Sequence, residues 1–293
     1  MDLWVVLNYR DFLMKEQLKL LLPSLIITAA IVAFPTIFLF YVSLHRWVLF
    51  EPGTSFTWLG NFYAVFKSRE FLQALVTTAI FVSTSTLVTL FLGLVLALIL
   101  NENLKGKGVF RALFTLPAIV PPVVAGFAWK FILHREVGVI GGYLLPSLGF
   151  EQSILGNPGL ALVAVIIADV WSRMPLMFLI LLAGLQAIPP EIYEAAEIDG
   201  AGYWKSLKSI TLPLLRSAII IALIIRFIDA FNLFETIFVM TSGGPGIATQ
   251  TLPLLGWKIG FQYYNLGEAA SLAVIMLIIT IFISQALIRR MRG

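Results

Sequence analysis

Four ionisable residues stand deep inside long apolar stretches, Asp169, Arg173, Arg226 and Asp229, with Arg216 and Glu235 nearer the ends of the fifth such stretch. Asp169 and Arg173 are four apart and Arg226 and Asp229 three apart, spacings that put each pair on one face of a helix. A charge near a bilayer centre costs at least ~2.5–3.5 kcal/mol on insertion scales, so each needs a partner or a purpose. The chemistry these groups offer is hydrogen bonding rather than bond cleavage. Carboxylates accept several hydrogen bonds and a guanidinium donates up to five, which together suit the hydroxyls of a polyol. Ser172 and Asn232 lie close by in sequence, and Trp171, Phe227, Phe231 and Phe234 offer ring faces. The expectation is a polar path between helices that accepts a transported solute. The competing reading is a pair of intrahelical ion pairs, or one interhelical network, that only locks the spans together.

The elements that carry these residues follow from composition. Of 293 residues, 59% are hydrophobic and 12% charged, against roughly 25% charged in a soluble domain. Mean hydropathy is +0.95. The chain therefore reads as an all-α integral membrane protein. Residues 1–19 read as a tail or surface helix and 20–293 as the membrane domain. Spans are expected at about 20–44, 71–101, 112–129, 160–188, 214–240 and 269–288, since about 20 apolar residues cross a hydrocarbon core. Pro117, Pro121 and Pro122 break or bend the third, and Pro35 is a possible kink in the first. Residues 130–159 read as a loop, with Asn157-Pro158-Gly159 as a turn signal. The first apolar run is long and lacks a small-residue cleavage pattern, so no cleavable signal peptide is expected.

Six spans put both termini on one side. The tails, the 102–111 turn and the loop through Arg216 hold 12 Lys and Arg, and the opposite loops hold 6. The positive-inside rule therefore places the termini and the 189–213 loop in the cytoplasm. Counted from the cytoplasmic ends at Gln186 and Pro213, Asp169 and Asp229 are 17 and 16 residues up, and Arg173 and Arg226 are each 13 up. At ~1.5 Å per residue all four lie roughly 20–25 Å along their helices, at similar depth.

Other chemistries lack their residues. There is no Cys, and His45 and His134 are isolated, so neither a thiol nor a His-based metal site is expected. No P-loop, His-Glu-x-x-His or Gly-x-Ser-x-Gly occurs, so neither ATP hydrolysis nor another enzymatic activity is expected of this chain, and no catalytic residue is assigned. The net charge of +4 is accounted for by orientation and not by nucleic acid.

The 189–213 loop is an island of charge. Pro190 suits a first helical position, Glu191 and Glu194 suit a positive helix end, and Gly200 is a natural stop. A second short helix is expected after it, with Trp204, Leu207 and Ile210 on one face. The stretch Glu194-Ala195-Ala196, Gly200 after three residues, then Ile210-x-Leu212-Pro213 after nine more, resembles the EAA loop of ABC importer permeases. Asp199, Ala201 and Trp204 agree with the sugar-permease version. Phe227–Pro245, ending in Thr-x-Gly-Gly-Pro, resembles the maltose-type group of binding-protein-dependent carbohydrate importers, as do Thr249, Leu252, the Gly267-Glu268-Ala269-Ala270 segment, Trp171 and Pro175. The likeness runs from about Leu20 to Arg290.

The resemblance implies the six-helix core of a type I ABC importer permease working by alternating access. It implies a coupling helix in the 189–213 loop, with Glu191, Glu194, Ala195, Ala196, Asp199, Gly200 and Ala201 meeting an ATPase. It implies a second, related but different permease, two ATP-binding subunits that use ATP and Mg, an extracytoplasmic solute-binding protein, and no cofactor bound by this chain. By analogy, solute-facing positions are Asp169, Ser172, Arg173 and Leu176 on the fourth span, and Arg226, Asp229, Ala230, Leu233 and Asn232 on the fifth, with Pro122 joining from the third. Several of these are charged where the maltose-type group carries Asn, Gly or Ser, which leaves the solute open: a disaccharide such as maltose or trehalose, a related carbohydrate, or glycerol phosphate. An ion-coupled secondary transporter is the rival reading; it would show more spans, repeat symmetry and an ion-coupling site.

Overall fold

A computed structural model of the chain describes residues 3–102 and 105–292. Its helices are α1 (Leu3–Ser43), α2 (Gly60–Lys67), α3 (Arg69–Asn101), α4 (Lys107–Thr115), α5 (Pro122–Ile132), α6 (Leu145–Ser147), α7 (Pro158–Gln186), α8 (Pro190–Ile198), α9 (Tyr203–Ser206), α10 (Leu212–Phe231), α11 (Glu235–Thr241), α12 (Leu252–Trp257) and α13 (Leu266–Arg292). Two-residue strands β1 (His45–Arg46) and β2 (Ser55–Phe56) pair antiparallel. The chain divides into two compact units, Met1–Val65 with Ile259–Val274, and Phe66–Lys258 with Ile275–Gly293.

Among the described residues, five helical stretches are long and apolar enough to cross a membrane: Leu21–Ser43, Arg69–Asn101, Pro158–Gln186, Tyr203–Phe231 and Leu266–Arg290. A broken pair, Lys107–Ile119 and Pro122–Ile132, bent by 97°, makes a sixth where the two halves count as one span. Three prolines explain the bend. Leu116–Ile119 tightens into a 3-10 turn around Pro117, and Val120 and Pro121 are extended, as a residue before proline prefers. The first helix runs unbroken from Leu3 past both Pro23 and Pro35, so residues 3–19 are helical and continuous with the first span.

Three expected boundaries are corrected. The fifth span does not reach residue 240: α10 stops at Asn232, whose amide donates to Ile228 O at 2.8 Å, and α11 begins afresh at Glu235. The expected separate helix after Gly200 is the first turns of the fifth span, which is helical from Tyr203 to Phe231. Pro213 does not end it, because Leu207–Thr211 widens into a π-helix just before the residue that lacks an N–H. The 130–159 loop holds a π-helical turn, Val139–Leu144, and the short α6, and Asn157 is an N-cap, its side chain accepting from the N–H of Gly159 and Leu160.

In the first unit Asn61 ties the chain together. Its amide donates to Ser43 O and His45 O, both at 2.8 Å, and Ser271 Oγ reaches the same Ser43 carbonyl at 3.1 Å. In the second unit α3, α7 and α10 form the core. Leu100, Met177, Phe178, Leu181, Leu182 and Leu215 are buried together there. Small residues set the approach, as in membrane helix packing. A Cβ on Gly93 would lie 2.8 Å from Met177 Cγ and 3.1 Å from the backbone N of Phe178. One on Gly184 would lie 2.7 Å from both Ala218 and Leu215. Gly93→Leu is therefore expected to destabilise the α3–α7 contact by ~1–3 kcal/mol, the cost of overpacking. Gly108→Leu, placed where nothing lies within 4 Å, is the matched control. The readout is the thermal midpoint in detergent, lowered by the first and unchanged by the second.

Candidate functional site

Asp169 on α7 and Arg226 on α10 meet inside the second unit, 1% and 4% exposed. Ser85 on α3 closes the group and is fully buried. Arg226 Nη2 donates to Asp169 Oδ2 and, at 2.6 Å, to Ser85 Oγ. Ser85 Oγ in turn donates to Asp169 Oδ2. Arg226 Nη1 donates to Asp229 Oδ2 at 3.0 Å, and Arg173 Nε approaches the same oxygen at 3.2 Å. The four charges alternate in sign along the chain Asp169–Arg226–Asp229–Arg173, and the set is neutral. Burying such groups is tolerable only because each charge has an opposite partner in ion-pair contact. The expected alternative of two intrahelical pairs does not hold: three helices share one network, and only Arg226–Asp229 lies within a helix.

The network has a dry end and an open end. Asp169 and Arg226 are sealed, whereas Asp229 and Arg173 keep 34% and 29% of their side-chain surface. Asp169 Oδ1 and Arg226 Nε are buried without a partner. At the open end a small cavity of about 20 Å³ is lined by Arg173, Leu176, Ile180, Ile225, Arg226 and Asp229. A larger groove of about 500 Å³ runs over α3, α10 and α13, past Leu75, Val82, Phe227 and Ile279. It holds no charged side chain and offers a polyol almost nothing to bond to, so its size does not make it the polar path.

The other expected path residues separate from this cavity. Ser172 Oγ donates to Ala168 O at 3.0 Å within its own helix. Ala230 and Leu233 are buried in the packing at 2% and 3% exposure. Asn232 caps α10 and is exposed. Pro122 opens α5. Trp171 meets Trp129 of α5 edge-on, 6.0 Å between ring centres. Ser85 was not singled out in the sequence. The available signal was the run Ser83-Thr84-Ser85-Thr86 in the middle of an otherwise apolar span.

The second candidate region is α8 and the turn after it. Pro189 is the N-cap, Pro190 the first helical residue and Glu191 in the first turn. Glu191, Glu194, Ala195 and Asp199 are exposed, and no ion pair engages these three carboxylates among the described residues. Ala196 is buried and receives the Ala201 N–H at 2.8 Å. Gly200 sits between them at φ +73°. Tyr193 Oη is 3.1 Å from Thr211 Oγ1, which ties α8 to the base of the fifth span. Ile198, Tyr203 and Trp204 are 87%, 60% and 70% exposed. Acidic groups thus lie beside an exposed apolar face at this turn.

Near the opposite end of α10 and α11, Ser242 and Gly243 within the Thr-x-Gly-Gly-Pro turn, and Gly246 just after it, take positive φ. Lys258 Nζ donates to the buried Gln250 Oε1 at 2.5 Å beside that turn. Burial pushes the Lys258 ammonium below the usual lysine range, and Glu70 partly offsets this.

Residues 89–292 match the family model of the binding-protein-dependent transport system inner membrane component. The chain is 41% identical over 292 residues to the trehalose/maltose transport system permease protein MalF of Thermococcus litoralis, covering 98% of this chain and 97% of that one. It is 33% identical over 258 residues to the trehalose transport system permease protein SugA of Mycobacterium tuberculosis, covering 88% and 82%. Its fold is similar to a chain of a bacterial ABC transporter involved in importing the acidic polysaccharide alginate, with a TM-score of 0.81, 23% identity and coverage of 99% and 98%.

Proposed function

Because the chain belongs to the family of binding-protein-dependent inner-membrane transport components, we propose that it carries a disaccharide such as trehalose or maltose past the Arg173–Asp229 pair. It is a multi-pass permease of an ABC sugar importer. The observation that carries the solute reading is the partly exposed ion pair, held at the open end of a buried network. Arg173 and Asp229 offer a donor and an acceptor side by side, the pattern a sugar diol can bridge. The network sums to no net charge, which favours a neutral sugar over glycerol phosphate, whose anion would need an unpaired cation. Leu176 beside the pair supplies apolar surface for a ring face.

Energy comes from outside this chain. With the 189–213 loop in the cytoplasm, two ATP-binding subunits use ATP and Mg, and one of them receives α8. Ile198 enters its cleft, and Glu191, Glu194 and Asp199 meet basic groups on its rim. ATP binding closes the ATPase pair and moves α8. Tyr193 and Thr211 pass that motion to the fifth span, so α10 shifts against α7 and the Arg173–Asp229 cavity opens outward. A solute-binding protein delivers sugar there, and hydrolysis restores the inward state. The second permease is a related but different chain. No cofactor binds this chain and it performs no enzymatic step.

Asp229→Asn and Arg173→Gln are each expected to cut uptake of radiolabelled trehalose in proteoliposomes about tenfold or more, with both variants assembling at normal levels. A lost hydrogen bond to a charged group, ~1.5–3 kcal/mol, sets that scale. Wild-type uptake by both would remove the solute assignment and leave the family untouched.

A further inference from the structure

We infer that Ser85 is a positioning residue for the solute path: its hydroxyl fixes Arg226 and, through it, the Asp229–Arg173 pair. The inference rests on the reading of that pair as solute-facing. The first support is how Ser85 departs from its neighbours. Serine and threonine in apolar helices ordinarily return their proton to the carbonyl one turn back. Thr78 donates to Ala74 O at 2.7 Å, Ser83 to Ala79 O at 2.6 Å and Thr89 to Ser85 O at 2.6 Å. Ser85 instead turns its proton across to Asp169 on α7.

The second support is the completeness of its bonding. A hydroxyl has one proton and two lone pairs, so it can donate to Asp169 Oδ2 while accepting from Arg226 Nη2. Alanine can do neither, and cysteine does both weakly. The third is the state of Arg226. Its Nε has no partner, so the orientation of the guanidinium depends on Nη1 and Nη2 alone. With Nη2 held by Ser85 and Asp169 together, Nη1 is aimed at Asp229 Oδ2 at 3.0 Å. Without Ser85 one of the two anchors on Nη2 is gone, and the plane of the guanidinium can turn about its stem. Asp229 Oδ2 is shared with Arg173, so both open-end groups move with it.

The test uses the assembled transporter, with its ATPase subunits and sugar-loaded binding protein, in nanodiscs trapped with ATP and vanadate. The readout is the Kd for retained radiolabelled trehalose. Ser85→Ala is expected to weaken retention about tenfold, the scale of a lost hydrogen bond in a dry site, and Ser85→Cys by less. Asp229→Asn is expected to weaken it as much, and Ser85→Ala in the Asp229→Asn background to add nothing, because the hydroxyl acts through that carboxylate. Unchanged retention in Ser85→Ala, with lowered melting temperature, would make Ser85 merely structural and overturn the inference. Effects of Ser85→Ala and Asp229→Asn that multiply would overturn it too, since Ser85 would then act elsewhere. Wild-type retention in Asp229→Asn would remove the solute-path reading itself. Should Ser85→Ala fail to assemble, Ser85→Cys carries the same comparisons.

Discussion

Arg226→Gln is expected to remove most of the assembled transporter from the membrane, and Asp169→Asn in the same chain to restore a large part of it. The reason is the depth of the pair. Asp169 keeps 1% of its side-chain surface, and among the described residues Arg226 is the only cation in ion-pair contact with it. Removing one partner of a buried ion pair leaves the other as an uncompensated charge, at ~3–5 kcal/mol. Replacing both leaves two neutral amides beside Ser85, which can bond to each other and to the hydroxyl. The measurement is the monodisperse fraction in detergent together with the thermal midpoint, for each single variant and the double one. Asp229→Asn belongs in the same series and is expected to assemble well, because it leaves the sealed pair intact and alters a group that is 34% exposed. Equal assembly of all variants would mean that the pair does not hold α7 to α10. This ordering also says how a transport defect is to be read. Lost uptake in Arg226→Gln follows from lost assembly, whereas lost uptake in Asp229→Asn reports on the solute.

The sequence made the four charges legible because ionisable groups in apolar runs are costly, and their similar distances from the expected helix ends at residues 186 and 213 put them at similar depth. It could not say which would be sealed. The split depends on how α7 and α10 are rotated about their axes, where the backbones approach closely at Gly93 against Met177 and Gly184 against Ala218. A glycine in an apolar run carries no periodic signal for such an approach. Ser85 was missed for a related reason, since a hydroxyl in a membrane helix is satisfied within its own helix unless a partner helix presents a charge. The boundary errors have local causes. The fifth span is expected to start at residue 214, yet the helix is already formed at Tyr203 and runs through Pro213, with a π-helical turn at Leu207–Thr211 just before it. Residues 214–240 read as one apolar span, yet Asn232 ends α10 by turning its amide onto Ile228 O. By contrast α8 was readable almost residue by residue, because proline, acid and glycine punctuation acts through local backbone geometry alone.

Gly200 gives the other large expected effect. Gly200→Val should abolish uptake while membrane insertion stays near normal, and Gly200→Asn should keep a substantial part of it. Gly200 has φ +73°, and a Cβ built there meets nothing within 4 Å. Crowding within this chain is therefore not the cause; the backbone is. A β-branched residue is strained in the left-handed region by ~1–3 kcal/mol, whereas asparagine is enriched there. Escaping that strain means giving up the Ala201 N–H to Ala196 O bond of 2.8 Å and the Gly200 N–H to Glu197 O bond of 3.0 Å. The exit from α8 would then swing, carrying Ile198 on one side of the turn and Tyr203 and Trp204 on the other. Insertion is unaffected because the turn lies outside every candidate span. The measurement is uptake alongside the ATPase rate stimulated by loaded binding protein, at matched amounts of transporter. Normal transport by Gly200→Val would show that the left-handed turn is dispensable. Failure of Gly200→Asn as complete as that of valine would locate the requirement elsewhere. Open space beside Gly200 in this chain would then have to be filled by the ATPase surface, making the glycine a point of contact and not only of bending.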